Sequence, residues 1–351
     1  MKKIVFTGGG TGGHIMPNLS IIEEIKEKYE IFYLGSNGME RNIISKYQYI
    51  KFIEIPSVKL IRSLNFKNLL IPFKLIQSIT ICKKKLKEIS PNLIFSKGGY
   101  VSIPVSIAGH NLGIPILTHE SDLSIGIANK IIAKKSKYLC CTFEETAKKY
   151  GKNAIHTGSP IRKQIFRGNK TNITKKINID TDKPIITITG GSLGAKRINE
   201  VIWDNIEKLT PNYTIIHLVG KNKVNNKIKN TPSYIQIDFA NNIEDYFDLS
   251  DIVISRAGSN TIFELLALHK PMILLPLSKE SSRGDQIVNA EIFHKKGYAE
   301  YILDENLNID TLISQIDLVL DSRNKYIKNM SKCNNANGTS KIVKLIEKCI
   351  K

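Results

Sequence analysis

The feature that most constrains this chain is a unit that recurs in both halves: a short apolar run, a cluster of glycines, then an amphipathic segment. Apolar runs predict strands over 3–7, 30–34, 93–96, 114–119 and 138–142, and again over 185–189, 214–219, 235–239, 252–255 and 272–276. Segments with helical spacing lie between them, over 17–29, 195–209 and 261–268. Strand–helix alternation requires parallel strands, because each crossover covers one face of the sheet. Two such series, each opening on a strand and a glycine loop, predict an α/β chain of two Rossmann-like domains with parallel sheets facing across a cleft. The length of 351 residues also exceeds what one core usually organises. The predicted division is 1–160 and 161–329, with 330–351 packing back on the first domain as one or two helices. A polar stretch over 168–183, rich in Asn, Thr and Lys, marks the boundary region.

Three glycine loops carry the chemistry. The first is Gly8-Gly9-Gly10-Thr11-Gly12-Gly13-His14, the second Lys97-Gly98-Gly99-Tyr100, the third Gly190-Gly191-Ser192-Leu193-Gly194-Ala195. Glycines let backbone amides approach a phosphate closely, and the following helix adds partial positive charge. Gly8, Gly10 and Gly13 satisfy GxGxxG, but the second predicted strand ends Leu34-Gly35-Ser36, without the acid that binds ribose in dinucleotide enzymes. The third loop matches GxSxG, and His217, His269 and His294 follow it, so a hydrolase nucleophile at Ser192 is a competing reading. Comparable glycine turns in both halves favour one diphosphate ligand. For any single loop, glycines that merely tighten a strand–helix turn remain the plain alternative.

Charge narrows the partners. The net charge is +19, from 51 basic and 32 acidic residues, which favours anionic lipid, nucleic acid or phosphorylated small molecules. A Lys-, Asn- and Ile-rich composition explains part of it equally well. Aromatics make up 7% and show no base-stacking motif, so no nucleic-acid partner is expected. Five cysteines form no CxxC pair, which suits a reducing compartment. No metal-ligand cluster is evident, and Asp180-Thr181-Asp182 precedes its strand in a polar linker, where it reads as a solvated turn. No leader and no 18-residue apolar run are seen, so a cytoplasmic protein is expected.

Taken together, the three loops with His119-Glu120-Ser121-Asp122, Gly158-Ser159-Pro160-Ile161-Arg162 and Ser255-Arg256-Ala257-Gly258-Ser259 resemble the MurG family. Its members are bacterial transferases that move N-acetylglucosamine (GlcNAc) from UDP onto undecaprenyl-pyrophosphoryl-MurNAc-pentapeptide. The motifs fall in the family's order from residue 7 to about 290. The resemblance implies a GT-B fold and inverting transfer, with no metal and no other cofactor, in peptidoglycan synthesis. It places donor contacts at Thr11, Gly12, Gly13, Arg162, Ser192, Ala240, Gly258, Ser259, Asn260, Thr261, Glu264 and Gln286. It assigns Gly98, Gly99, Tyr100, His119 and Asp122 to the loops for acceptor and diphosphate. Asp122 is a departure, because some members carry Asn there. Other GT-B glycolipid transferases, a UDP-sugar epimerase and a non-catalytic nucleotide-sugar-binding subunit are the rival readings.

The residue chemistry fits these assignments. His14 is the expected base, since a neutral imidazole is available near neutral pH; a capping histidine is the alternative. Glu264, in the helix after Gly258, suits the two ribose hydroxyls, or is a simple helix charge. Arg162 suits leaving-group phosphate, or a hinge salt bridge. Gln286 is expected in a polar loop over 279–286. Leu69-Leu70-Ile71-Pro72-Phe73 and Leu75-Ile76 mingle with Lys67, Lys74, Lys83, Lys84, Lys85 and Lys87. That pattern fits an anionic membrane surface, or a Rossmann helix burying the same side chains. A peripheral position at the cytoplasmic face of the membrane, beside other cell-wall enzymes, is therefore expected.

Overall fold

The computed structural model describes residues 1–57, 71–279 and 284–350. The chain forms two compact units, one of Met1–Arg162 with Asn337–Lys351, the other of Lys163–Ala336.

The first unit holds a seven-stranded sheet: β1 (Lys3–Thr7), β2 (Glu30–Gly35), β3 (Ile50–Glu54), β4 (Leu93–Ser96), β5 (Ile116–Glu120), β6 (Tyr138–Cys141) and β7 (Ala154–His156), in the order β3-β2-β1-β4-β5-β6-β7. The second holds six: β8 (Ile185–Thr189), β9 (Thr214–Leu218), β10 (Tyr234–Ile237), β11 (Ile252–Ser255), β12 (Met272–Leu274) and β13 (Ala299–Tyr301), in the order β10-β9-β8-β11-β12-β13. All the pairings are parallel. This is the expected architecture of two parallel α/β sheets.

In both sheets the chain winds outward from the first strand and then returns to its other side. The winding therefore reverses between β1 and β4, and between β8 and β11. Helices on opposite faces leave a gap beyond the strand ends at such a reversal, which is where ligands of open α/β sheets bind. The glycine loops follow β1, β4, β8 and β11, so all of them lie at the two switch points.

Side-chain alternation builds the core on both faces of the first sheet. Ile4, Phe6, Ile31, Tyr33, Leu93 and Phe95 point to one face, where they meet Ile342, Ile346 and Ile350 of the helix Thr339–Ile350. Val5, Phe32, Leu34 and Ile94 point to the other, against Cys82, Leu86 and Ile89 of the helix Ile71–Ile89. The period of two is what a pleated strand buried on both sides demands.

Three strands fall outside the expected set. β3 carries Lys51 and Glu54, and β7 and β13 have three residues each, too short for an apolar run to stand out. The first helix starts at Gly12, so Pro17 lies inside Gly12–Ile25 rather than near its opening. The segment expected as one helix over 195–209 is two, Lys196–Trp203 and Ile206–Leu209, broken at Asn205.

The basic apolar segment divides between its two readings. Lys67, Leu69 and Leu70 lie outside the described residues. In the helix Ile71–Ile89, Leu75 packs against the core. Phe73 and Ile76, 72% and 63% exposed, stand on the opposite side. No helix among the described residues is long and apolar enough to cross a membrane.

Candidate active site

At the first switch point the loops after β1 and β4 touch each other. A Cβ on Gly99 would sit 2.7 Å from Gly9 O, and one on Gly10 would sit 2.7 Å from the Tyr100 ring. Gly99 also has φ +80°, so only glycine fits both its backbone and its space. The same position lies 3.5 Å from the imidazole of His14, so the second loop forms a wall beside that ring. His14 sits in the first turn of the helix Gly12–Ile25, and its Nδ1 is 2.9 Å from Thr11 Oγ1. If Nδ1 carries the proton and donates it to Thr11, Nε2 presents a lone pair and can act as a base.

The first loop is held from beneath by buried side chains. Tyr33 donates its hydroxyl to Gly8 O at 2.6 Å. Asn18 donates to Thr7 O and to the Tyr33 oxygen. Glu40, fully buried, accepts from Gly10 N at 3.3 Å and Ser36 N at 2.9 Å, and also from the Ser36 hydroxyl. Its carboxylate thus reaches the end of β2, the place where a dinucleotide enzyme carries its ribose-binding acid. Here the acid clamps the protein's own loop.

The loop after β5 is equally tied down. Glu120 accepts from Asp122 N, Gly126 N and Asn129 Nδ2 at 3.0–3.1 Å. Asn129 also fills the space under the second loop, 2.5 Å from where a Cβ on Gly98 would be. Lys97, only 2% exposed, donates from Nζ to the Ser121 hydroxyl. Burial pushes its ammonium down to about 8, against the pull of Glu120 and Asp122. His119 has no exposed surface, and its Nε2 lies 3.3 Å from Gly158 O. Burial, with the nearby Lys97 charge, holds this imidazole well below its usual range and therefore neutral. The His119 side chain is internal. Its ring is sealed in the core and supports the Gly158 turn. Asp122 lies half-buried at the surface.

In the second unit the turn after β8 is wedged against backbone. A Cβ on Gly194 would lie 2.1 Å from Val219 O, and one on Gly220 would lie 2.3 Å from Gly194 N. Lys221 N donates to Ser192 O at 3.2 Å, and Leu193 at the tip is 77% exposed. Ser192 is thereby presented on the surface of a fixed turn. His217 is not placed to serve a hydrolase nucleophile. That ring is buried, with Nδ1 3.1 Å from the Tyr234 hydroxyl and Nε2 3.1 Å from Asn199 Oδ1. Burial pushes it down to about 3.

After β11 the helix Ser259–Ala267 begins, capped by Gly258, where a Cβ would meet nothing within 4 Å. Asn260, Thr261 and Glu264 are half-buried on this helix, whereas Ser259 is buried. Arg256 braces the approach. Its Nη1 donates to Leu275 O and Pro276 O and pairs with Asp304 at 2.6 Å. Ala240 is half-buried against the apolar cluster that includes Ile216, Leu218 and Tyr246. Gln286 is the second residue of the helix Asp285–Lys295 rather than part of a loop, and its Oε1 accepts from Leu277 N at 3.1 Å. Residues 280–283 of the expected loop lie outside the described residues. Asp180 accepts from Asp182 N and Ser233 Oγ and pairs with Lys183, so the DxD acid is engaged within its own turn. No group of three or more His, Cys, Asp or Glu among the described residues is placed to hold a metal. Arg162 is the last residue of the first stretch of its unit and is half-buried.

The structure therefore gathers Thr11, Gly12, Gly13, His14, Gly98, Gly99 and Tyr100 at one switch point, and Ser192 and Gly258–Thr261 at loops of the other. Sequence reasoning passed over Glu40, Lys97 and Asn129. Glu40 stands four residues beyond Ser36, on the short helix Met39–Ile44, and so escapes a search confined to the strand end. Lys97 carried a signal in being a lone charge directly after an apolar strand.

Comparison with known proteins agrees with this geometry. The glycosyltransferase family 28 N-terminal domain matches residues 4–139, and the family 28 C-terminal domain matches residues 185–346. A UDP-N-acetylglucosamine–N-acetylmuramyl-(pentapeptide) pyrophosphoryl-undecaprenol N-acetylglucosamine transferase of Clostridium botulinum (strain Hall) is 45% identical over all of both chains. The enzyme of the same name from Lachnospira eligens is 43% identical over 99% of each. Among solved structures, Acinetobacter baumannii MurG superposes with a TM-score of 0.79 at 23% identity, covering 99% of this chain and all of the other. Neisseria meningitidis UDP-GlcNAc 2-epimerase superposes with a TM-score of 0.65 at 15% identity, covering 100% and 99%, and so shares the fold alone. The chain belongs to glycosyltransferase family 28 and, within it, to the family of UDP-N-acetylglucosamine–N-acetylmuramyl-(pentapeptide) pyrophosphoryl-undecaprenol N-acetylglucosamine transferases.

Proposed function

We propose that this chain transfers GlcNAc from UDP-GlcNAc to the C4 hydroxyl of MurNAc in undecaprenyl-pyrophosphoryl-MurNAc-pentapeptide, converting lipid I to lipid II. The observation that carries this is identity of 43–45% along the whole chain with enzymes of that name. The rival epimerase resembles it only in fold.

In this reading His14 Nε2 takes the proton from the attacking hydroxyl, while Nδ1 donates to Thr11 and fixes the ring. The glycosidic C–O bond to UDP breaks as the new bond forms on the opposite face of the sugar, which inverts the anomeric carbon. The leaving diphosphate is steadied by amides at the Gly258–Thr261 helix start, by Ser192 and by the Arg162 guanidinium. Glu264 takes the ribose hydroxyls, Ala240 meets the uracil through its backbone, and Gln286 contacts the donor. Gly12 and Gly13 approach the donor, whereas Gly98, Gly99, Tyr100 and Asp122 face the acceptor and the transferred sugar. The exposed Phe73 and Ile76, with exposed Lys74, Lys83, Lys84 and Lys87 on the same helix, rest on anionic lipid at the inner membrane face. Other cell-wall enzymes work beside it there.

The test is incubation of the protein with labelled UDP-GlcNAc and a lipid I analogue, with and without EDTA. Labelled lipid product in both reactions is expected. Hydrolysis or epimerisation of the donor without labelled lipid would overturn the assignment.

A further inference from the structure

Lys97 is a buried cation that the transferase chemistry above does not use. Its backbone directly follows β4 and donates from N to Thr7 O at 2.9 Å, its Cβ lies 3.0 Å from where a side chain on Gly8 would begin, and its Nζ reaches Ser121 in the loop after β5. It therefore ties together three neighbouring strand ends: β1 through Gly8, β4 through its own backbone, and β5 through Ser121. The charged and titratable groups that face it are His119, Glu120, Asp122 and Cys140. Glu120, the stronger carboxylate influence on Lys97, already accepts three hydrogen bonds, from Asp122 N, Gly126 N and Asn129 Nδ2. Asp122 bears a carboxylate at a position proposed to face a sugar, where an uncompensated charge next to a diphosphate would repel the donor.

We propose that Lys97 is a positioning residue whose buried ammonium holds the Ser121–Asp122 segment in place and compensates the Asp122 carboxylate, so that an acid can stand beside the transferred sugar. The inference rests on the transferase reading above. Lys97 meets no substrate, and it acts through Ser121 and Asp122. Because burial brings the ammonium to about 8, it is charged at neutral pH and loses its proton at mildly alkaline pH. The support for Asp122 then disappears, and turnover falls. Stability responds with the opposite sign. A lysine held below its unfolded value binds fewer protons in the native state between about 8 and 10.5, so its contribution to stability rises with pH across that window. A merely structural lysine would not link falling turnover to rising stability.

The experiment compares wild type, Lys97→Met, Lys97→Arg and the double variant Lys97→Met with Asp122→Asn. Steady-state transfer from UDP-GlcNAc to a lipid I analogue is measured from pH 6.5 to 9.5, with thermal unfolding at each pH. Wild-type kcat/KM for UDP-GlcNAc is expected to decline through a midpoint near pH 8. Lys97→Met should lose at least about tenfold at pH 7.5 and lack that midpoint. Lys97→Arg, which keeps its charge, should move the decline to higher pH. The double variant should recover at least about threefold over Lys97→Met. Wild-type kcat/KM in Lys97→Met, or a midpoint unchanged in both single variants, would overturn the inference while leaving the transferase reading intact. If Lys97→Met does not fold, an unmoved midpoint in Lys97→Arg overturns it alone. An inactive wild type would overturn the transferase reading and this inference with it.

Discussion

The glycine turn after β1 hangs from buried side chains, and the turn after β8 is wedged against backbone. Beneath the first lie the Glu40 carboxylate, the Tyr33 hydroxyl and Asn18. Beneath the second lie Val219 O and Gly220, with no room for a methyl group at Gly194. The two turns look alike in sequence and sit at the same topological place in their sheets. The difference matches what the proposed reading asks of each. A frame of polar side chains can fix the orientation of an imidazole and respond to charge. A frame of backbone packing has little chemistry of its own, but it holds a turn rigid, as the proposed presentation of Ser192 to a diphosphate requires.

The comparison breaks first at Gly194. Alanine there would carry both a 2.1 Å clash with Val219 O and φ +70°. A loss of about 3 kcal/mol or more is expected in urea unfolding, the strained backbone and the overpacking adding together. Wild-type stability would show that the turn yields easily and that the wedge is no constraint. Glu40→Ala tests the other frame. It takes the charged acceptor away from Gly10 N and Ser36 N, at a cost of about 2 kcal/mol. It should also lower kcat, because the loop that carries His14 loses its anchor; a stability loss with unchanged kcat would separate the clamp from the chemistry. Gly258→Ala sharpens the contrast with the smallest effect on the fold. The added methyl meets nothing within 4 Å and φ there is −69°, so stability should change by less than about 0.5 kcal/mol. UDP affinity should nevertheless fall about tenfold, roughly 1.4 kcal/mol, if that opening is occupied by a phosphate. Unchanged affinity, measured by calorimetry, would remove the helix start from the donor site.

The strands bordering the switch points were legible in the sequence because they are mostly apolar. β1, β4, β8 and β11 are buried on both faces, and a glycine follows each within three residues. The edge strands were not, since β3 alternates charge with apolar residues and β13 is only three residues long. The three loops were legible because positions such as Gly10, Gly99 and Gly194 have positive φ and no room for a side chain, which only glycine satisfies. What escaped was the support beneath them. Glu40 and Asn129 act on loops that lie far from them in sequence, and their polar groups matter only because folding buries them. His119 illustrates the converse. The motif it belongs to places it on a substrate loop, but a strand-end histidine can equally be buried and hydrogen-bonded, and β5 carries this one into the core, where burial keeps it neutral. Gln286 reads as a loop residue because the polar run before it hides the start of its helix.

The division of labour between the two turns is tested most directly at His14, by measuring UDP binding and transfer separately in His14→Asn. A donor dissociation constant within about twofold of wild type, with turnover lower by about 10²–10⁴, is the predicted result for loss of a base alone. Equal losses in binding and turnover would contradict it and make the imidazole part of the donor grip.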